Sequence, residues 1–202
     1  MEKCEKIKAK EEKQYENQNQ QEEDKKQQSN LMEIKNVPGL LYYKKFLTEE
    51  EEQNLIKQIN QQTWNNDLKR RTQHYGYKYD YTSKSINESQ YLGKLPDFCD
   101  FIIKRMLNEK IIDQEPDQLI INEYEPGQGI NPHIDRPDFF QEKVVSISLG
   151  SKCIMEFTLE KQTEEIVLYK RSLALLTAEA RYKWKHGIKA RKNDVIKGPL
   201  FS

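Results

Sequence analysis

A histidine and an aspartate separated by one residue occur near the middle of the chain, His133 and Asp135 in the segment NPHIDRP. In a β-strand, residues i and i+2 point to the same face, so this imidazole and this carboxylate would project into one cavity. Such a pair can bind a divalent metal ion if a third ligand comes from elsewhere. It can equally be an ordinary hydrogen bond within a strand, and the spacing alone does not decide between the two.

The third ligand is expected from one of the other two histidines. His74 precedes a tyrosine-rich segment, whereas His186 lies in WKHGI on a late predicted strand. In a jelly roll such a strand can return beside the first one, which favours His186. Two histidines and one carboxylate on one side of a metal leave positions open for substrates, as in non-haem Fe(II) oxygenases. A zinc hydrolase with the same ligands is also chemically allowed, although no general base is apparent beside the pair.

The elements that must position these residues can be predicted from the hydrophobic pattern. Thr48 and Glu51 form a capping-box pattern ahead of one amphipathic helix, and Pro96 stands at the entrance of a second. From Gln118 onward, short apolar or alternating segments follow one another with no crossover helix between them, which indicates antiparallel strands. The prediction is an α+β, mainly β protein with two N-terminal helices packed on a jelly roll.

Composition divides the chain into a tail and one domain. Residues 1–30 are nearly all charged or amide side chains, which predicts a disordered tail, and residues 31–202 form the predicted domain. The formal net charge is +0, so no global field draws the protein to nucleic acid or membrane. No apolar run has transmembrane length, and the three scattered cysteines favour reduced thiols. We therefore expect no membrane partner and a cytoplasmic or nuclear protein.

Three long segments carry a family resemblance: INEYEPGQGINPHID, VVSISLGSKCIMEF and RSLALLTAEARYKWKHGI. In this order they resemble the AlkB family of Fe(II)/2-oxoglutarate-dependent dioxygenases, and most of all its eukaryotic branch that hydroxylates modified wobble uridine in tRNA. The resemblance covers roughly residues 31–194. It implies a double-stranded β-helix core, Fe(II) bound by His133, Asp135 and His186, and 2-oxoglutarate and O2 as co-substrates. Asn122 and Tyr124 match the family's polar pair that contacts 2-oxoglutarate.

A further segment, LKRRTQHYGYKYDY, resembles the substrate lid of the same branch. The resemblance implies that the arginine pair meets phosphates and that the first tyrosines stack on a base, which makes nucleic acid, with RNA preferred, the expected partner. The alternative is an outer hairpin strand with one tyrosine-coated face. The strict alternation predicts that all four tyrosines face the same way in a strand. The residues concerned are Arg70, Arg71, Tyr75, Tyr77, Tyr79 and Tyr81.

The sequence departs from the family pattern at its end, because it stops at Ser202, 16 residues after His186. Members continue into another core strand with an arginine that pairs with the distal carboxylate of 2-oxoglutarate. We expect this last core strand to be missing, which would weaken co-substrate binding by roughly 1.5–3 kcal/mol. The leading hypothesis is a dioxygenase that oxidises a C–H bond on a nucleobase or its modification, in tRNA-like RNA. The alternative is a non-catalytic AlkB-like binding or scaffold module.

Overall fold

The computed structural model describes residues 31–78 and 90–194. Within this range the chain forms ten short strands and three α-helices. The strands are β1 (Leu31–Glu33), β2 (Leu40–Tyr43), β3 (Arg71–Gly76), β4 (Gln118–Glu123), β5 (Ile130–His133), β6 (Val144–Ile147), β7 (Cys153–Leu159), β8 (Gln162–Leu168), β9 (Leu173–Leu176) and β10 (Lys185–Ile188). The helices are α1 (Glu49–Asn60), α2 (Asp100–Asn108), which follows a 3₁₀ turn over Asp97–Cys99, and α3 (Ala178–Tyr182).

The strands form two four-stranded antiparallel sheets and one separate pair. The first sheet has the order β1-β2-β9-β6, the second has the order β5-β10-β7-β8, and β3 pairs with β4. Apolar side chains from both large sheets meet in one cluster, with Leu40, Tyr42 and Leu176 from the first sheet and Phe157 and Leu168 from the second. The core therefore lies between two facing sheets, and the predicted mainly β jelly-roll class is confirmed.

Helices α1 and α2 cover the outer face of the first sheet. The predicted capping box is present, since the Glu51 N–H donates to Thr48 Oγ1 at 3.2 Å and the Thr48 N–H donates to Glu51 Oε2 at 2.8 Å. Ile59 of α1 and Ile102 of α2 pack in one cluster with Leu173 of β9. Because neighbouring strand residues point to opposite faces, β9 contributes to this cluster and to the inter-sheet core alternately.

Helix α3 differs from the sequence-based prediction. The segment YKWKHGI, residues 182–188, was expected to be one strand, but only Lys185–Ile188 is extended. Tyr182 instead ends a short helix, Ala178–Tyr182, that was not predicted. A helix of 5 residues spans less than two turns, so its sequence cannot display a helical hydrophobic period. The consequence for the site is that β10 begins only one residue before His186.

The tyrosine alternation also differs from the prediction. β3 ends at Gly76, which has a φ of +71° and lies so close to β4 that a Cβ there would be 1.9 Å from the Asp117 carbonyl oxygen. Tyr77 lies beyond this irregularity and bridges to Tyr91 instead of continuing the ladder. Tyr75 and Tyr77 therefore do not share one continuous strand face. Tyr79 and Tyr81 lie outside the described residues.

Other expectations also concern the ends of the chain. The predicted tail, residues 1–30, lies outside the described residues, as does everything after residue 194, where the missing core strand was expected. Within the described part of the chain, no helix is both long enough and apolar enough to cross a bilayer. Cys99 and Cys153 are both free thiols, in agreement with the expectation for these two residues.

Candidate metal centre

The two predicted histidine ligands lie side by side on neighbouring strands. β5 and β10 pair antiparallel with His133 directly opposite His186, and the two ring centroids are 4.5 Å apart. Gly187 permits this approach, because a Cβ there would lie 2.8 Å from the Pro132 nitrogen and 2.9 Å from the Ile130 carbonyl oxygen. The missing side chain at position 187 thus allows the strand pairing that brings the imidazoles together.

Asp135 completes the cluster from a loop. β5 ends at His133, so the prediction that strand alternation aligns the histidine and the aspartate is wrong in this detail. The carboxylate nevertheless faces both rings: Oδ1 lies 3.6 Å from His133 Nε2, and Oδ2 lies 3.6 Å from His186 Nε2. One ligand atom from each of the three residues lies within 4.8 Å of the other two. The described residues therefore bring together all three predicted metal ligands.

The orientation of the two rings fits a metal ion. His133 Nδ1 lies 2.9 Å from the Asn131 carbonyl oxygen, and a bond from Nδ1–H to a carbonyl leaves the Nε2 lone pair for a metal. His186 Nδ1 is buried without a hydrogen-bond partner in the described part of the chain, and its Nε2 faces Asp135. The 3.6 Å separations exceed a normal hydrogen bond. An ion among the three groups would give both nitrogens and the carboxylate a common partner.

The protonation states also suit metal binding. Burial lowers the pKa of His186 to about 4, against the opposing effect of the Asp135 charge. Burial alone would raise the pKa of Asp135, but its contacts with His133 and the charges of His186 and Arg181 hold that pKa below its usual value. Burial alone would lower the pKa of His133, and the nearby Asp135 and Asn131 oxygens raise it instead. At neutral pH the aspartate is ionised and His186 is neutral, which are the forms that ligate metals.

The predicted 2-oxoglutarate pair lies at the end of β4 and shares one cationic neighbour. Arg70 Nε donates a hydrogen bond of 2.8 Å to Asn122 Oδ1, and the Arg70 guanidinium carbon lies 5.8 Å from the centre of the Tyr124 ring. The charge of Arg70 also acts to lower the pKa of His133. The structure thus places Arg70, which was predicted to meet substrate phosphates, against the pair predicted to meet the co-substrate.

The other predicted substrate residues each have different contacts. Arg71 makes two hydrogen bonds to Glu123, of 2.6 and 2.9 Å, and lies 4.2 Å above the centre of the Trp64 ring. The Tyr75 ring packs edge-on against Phe98, with centroids 6.0 Å apart. The Tyr77 ring lies 5.1 Å from the Tyr91 ring, whose residue is 52% exposed.

A groove beside β3 was not anticipated from the sequence. It has a volume of about 590 Å³, and its lining includes Trp64, Asn65, Asp67, Thr72, His74 and Lys78. Its residues come from a loop and a strand that the bridge between Asn65 and Thr72 holds together. No periodic pattern marks such a loop in advance. His74, the histidine that was set aside as a metal ligand, lies here, and burial lowers its pKa.

Comparison with known proteins agrees with this geometry. Residues 39–199 match the family described as the 2OG-Fe(II) oxygenase superfamily. The uncharacterized protein L905 of Acanthamoeba polyphaga mimivirus is 41% identical over 167 residues, which cover 81% of this chain and 79% of that protein. The tRNA (carboxymethyluridine(34)-5-O)-methyltransferase ALKBH8 of Mus musculus is 40% identical over 168 residues, which cover 79% of this chain and 25% of that protein.

A solved structure supports the same assignment at the level of the fold. The structure of OsALKBH1 superposes with a TM-score of 0.65 at 17% sequence identity, over 79% of this chain and 87% of that one. The family match includes all three metal ligands and the Asn122–Tyr124 pair. The chain therefore belongs to the 2OG-Fe(II) oxygenase superfamily, and within it to the AlkB family, whose members are 2-oxoglutarate-dependent dioxygenases.

Proposed function

We propose that this dioxygenase oxidises a C–H bond on a nucleobase or its modification in RNA, with tRNA as the first substrate to test. The observation that carries the proposal is the convergence of His133, Asp135 and His186 within 4.8 Å. The relative from Mus musculus is named for an activity on tRNA uridine, which supports the choice of substrate. That name describes methyl transfer, whereas two imidazoles and a carboxylate suit oxidation at iron, so only the substrate class is carried over.

The triad would hold Fe(II), and its three protein ligands leave room for small ligands on the open side of the ion. When bound there, Fe(II) couples the oxidation of 2-oxoglutarate by O2 to the oxidation of a C–H bond. The protein's part is to present His186 neutral and Asp135 ionised and to exclude water around the ligands. Phe157 contributes to this exclusion, because it is fully buried and its ring centroid lies 6.1 Å from that of His186.

Asn122 and Tyr124 would bind 2-oxoglutarate, and Arg70 would support them. Because Arg70 donates to the Asn122 oxygen, it leaves the amide NH2 of Asn122 to donate to a carboxylate. The guanidinium adds a positive charge at the same place, and hydrogen bonds between charged partners are stronger than neutral ones. Arg70 and the Asn122–Tyr124 pair, for which separate functions were predicted, would then bind the same carboxylate of 2-oxoglutarate.

The nucleic acid would approach along β3 and the neighbouring groove. Tyr77 and Tyr91 form the more suitable stacking surface, because Tyr91 is half-exposed while Tyr75 is engaged by Gln73 and Phe98. Arg71 is already paired with Glu123, so it would have to exchange that carboxylate for a phosphate. The groove brings Lys78 and His74 close to the same strand. A protein working on such a substrate would reside in the cytoplasm or the nucleus.

Succinate formation tests the proposal and separates it from the non-catalytic binding module. The purified protein is incubated with Fe(II), ascorbate, 2-oxoglutarate and either total tRNA or methylated RNA and DNA oligonucleotides, and succinate and modified nucleosides are measured by mass spectrometry. We expect succinate formation that tRNA stimulates, together with an oxidised nucleoside. A protein that binds iron at the triad but forms no succinate with any of these substrates would support the binding module instead.

Asp135→Ala should remove both iron and activity, because the carboxylate faces both imidazoles. The loss of metal affinity should exceed the roughly 10- to 100-fold loss that follows removal of a residue that only hydrogen-bonds to a metal ligand. Asp138→Ala is the matched control, since this aspartate lies in the same loop with 68% of its side chain exposed. Iron content is measured by elemental analysis. Equal iron in the Asp135→Ala variant and the wild type would overturn the ligand assignment.

A further inference from the structure

Arg181 of α3 is a completely buried cation with an unusual set of partners. It is 1% exposed, and among the described residues no carboxylate lies within ion-pair distance of it. Its guanidinium instead donates to three backbone carbonyl oxygens: Nη1 to Asp135 at 2.7 Å, Nη2 to Phe140 at 2.8 Å and Nε to Gln141 at 3.0 Å. All three acceptors belong to the loop that joins β5 to β6.

This loop carries the carboxylate ligand without support from a strand ladder. β5 ends at His133 and β6 begins at Val144, so Asp135 depends on other contacts for its position. Within the loop, the Phe139 and Phe140 N–H groups donate to the Arg136 carbonyl oxygen, which forms a local turn but does not tie it to the sheets. Arg181 supplies that connection at both ends of the loop, since it bonds to residue 135 and to residues 140 and 141.

Arg181 is also connected along the chain to His186, the candidate ligand on β10. Arg181 lies five residues before His186, and the intervening Trp184 is 2% exposed in the inter-sheet core. A continuous connection therefore runs from the Asp135 carbonyl through the guanidinium and the chain after α3 to β10. The cost of burying a cation without an ion-pair partner suggests a specific role, because a hydrophobic side chain would fill the space more cheaply.

We propose that Arg181 is a positioning residue for the metal centre: its three hydrogen bonds fix the loop so that the Asp135 carboxylate faces His133 and His186 at once. The proposal rests on the proposed metal site at the triad. A lysine at this position would keep the charge, but its single nitrogen could not reach three carbonyls in the same fork geometry. Metal affinity should therefore fall even when the charge is retained.

The test is a Co(II) titration of the metal-free full chain, followed by the visible absorption of the bound ion, which reports ligand geometry. In Arg181→Lys we expect the Co(II) dissociation constant to rise roughly 10- to 100-fold, as for other outer-sphere partners of metal ligands. We also expect the Co(II) spectrum at saturation to differ from that of the wild type. Thermal unfolding of each metal-free protein is recorded in parallel.

Arg105→Lys is the matched control. Arg105 donates to the Phe46 carbonyl oxygen at 2.8 Å and pairs with Glu51, but it lies on the helical side of the first sheet. It should lose thermal stability without any change in Co(II) affinity or spectrum. If Arg181→Lys behaves in the same way, with a dissociation constant within about twofold of the wild type, Arg181 serves the fold alone and the proposal is wrong.

Two further outcomes are informative. If Arg181→Lys does not fold, the titration is repeated on Arg181→Gln, whose amide can still donate to one of the carbonyls; failure of both variants to fold would assign Arg181 to the fold and overturn the proposal. If Asp135→Ala binds Co(II) as tightly as the wild type does, the proposed metal centre itself is wrong. That result is distinct from a failure of the positioning role, which requires the wild type to bind Co(II) through Asp135.

Discussion

At the scale of single residues, the chemistry depends on which groups share a common neighbour. His133, Asp135 and His186 share the space in which an ion would sit, and Asn122 and Tyr124 share Arg70. The first grouping agrees with the sequence-based prediction for all three residues. The second grouping moves Arg70 from the predicted phosphate contacts to the predicted co-substrate contacts. Which of the two roles Arg70 performs can be decided kinetically.

Arg70→Ala should raise the KM for 2-oxoglutarate, because it removes a cation from the place where Asn122 and Tyr124 are proposed to meet the dianion. Loss of one charge-assisted hydrogen bond of about 1.5–3 kcal/mol corresponds to a change of roughly 10- to 150-fold. Arg71→Ala is the control, since that neighbour is bonded to Glu123. Steady-state succinate formation is measured against both co-substrate and tRNA. A KM that rises for tRNA alone would return Arg70 to its predicted phosphate role.

At the scale of the elements, one ion pair ties the two helices that cover the first sheet. The Arg105 guanidinium of α2 bonds to the Glu51 carboxylate of α1, and both side chains are about three-quarters buried. Hydrogen bonding from Arg105 is the main cause that holds the pKa of Glu51 below its ordinary value of 4.5, against the opposing effect of burial. A depressed pKa in the folded state stabilises the protein above that ordinary value. The stabilisation is lost as the pH falls through the folded pKa.

Glu51→Gln should therefore reduce how strongly the unfolding free energy falls as the pH is lowered into the acid range. Glutamine can keep the capping box with Thr48, so the variant isolates the charge. We expect the wild type to lose roughly 1–3 kcal/mol more unfolding free energy than the variant between pH 6 and pH values well below 4.5. Glu50→Gln, at an exposed neighbouring position, serves as the control. Parallel curves for the wild type and Glu51→Gln in urea titrations would show that the pair contributes no pH-dependent stability.

At the scale of the whole molecule, the candidate metal centre joins distant parts of the chain. Its ligands come from the end of β5, from the following loop and from β10, the last strand of the described residues. An ion that binds only the folded chain must stabilise the entire fold by linkage. Because the proposed site takes one ligand from each of the three residues, we expect this stabilisation to depend on each of them.

Mn(II) at 100 times its dissociation constant should raise the unfolding free energy of the wild type by about 2.7 kcal/mol. His186→Ala should abolish the effect, whereas His74→Ala should retain it, because His74 lines the groove beside β3 rather than the triad. Thermal unfolding with and without Mn(II) measures both variants. A stabilisation that survives in His186→Ala would place the ion elsewhere in the protein.

The sequence by itself predicted the class of fold, the two helices that cover the first sheet and three candidate metal ligands. The helices and strands follow from local periodicity, and the candidate ligands follow from residue types together with a family resemblance. It did not reveal that Asp135 lies outside the strand, that a short helix, α3, precedes the last strand, or that Arg181 donates hydrogen bonds to the loop that carries Asp135. The tertiary structure decided these features. A loop is positioned by contacts with residues far along the chain, and no local pattern records which carbonyl a buried guanidinium will meet.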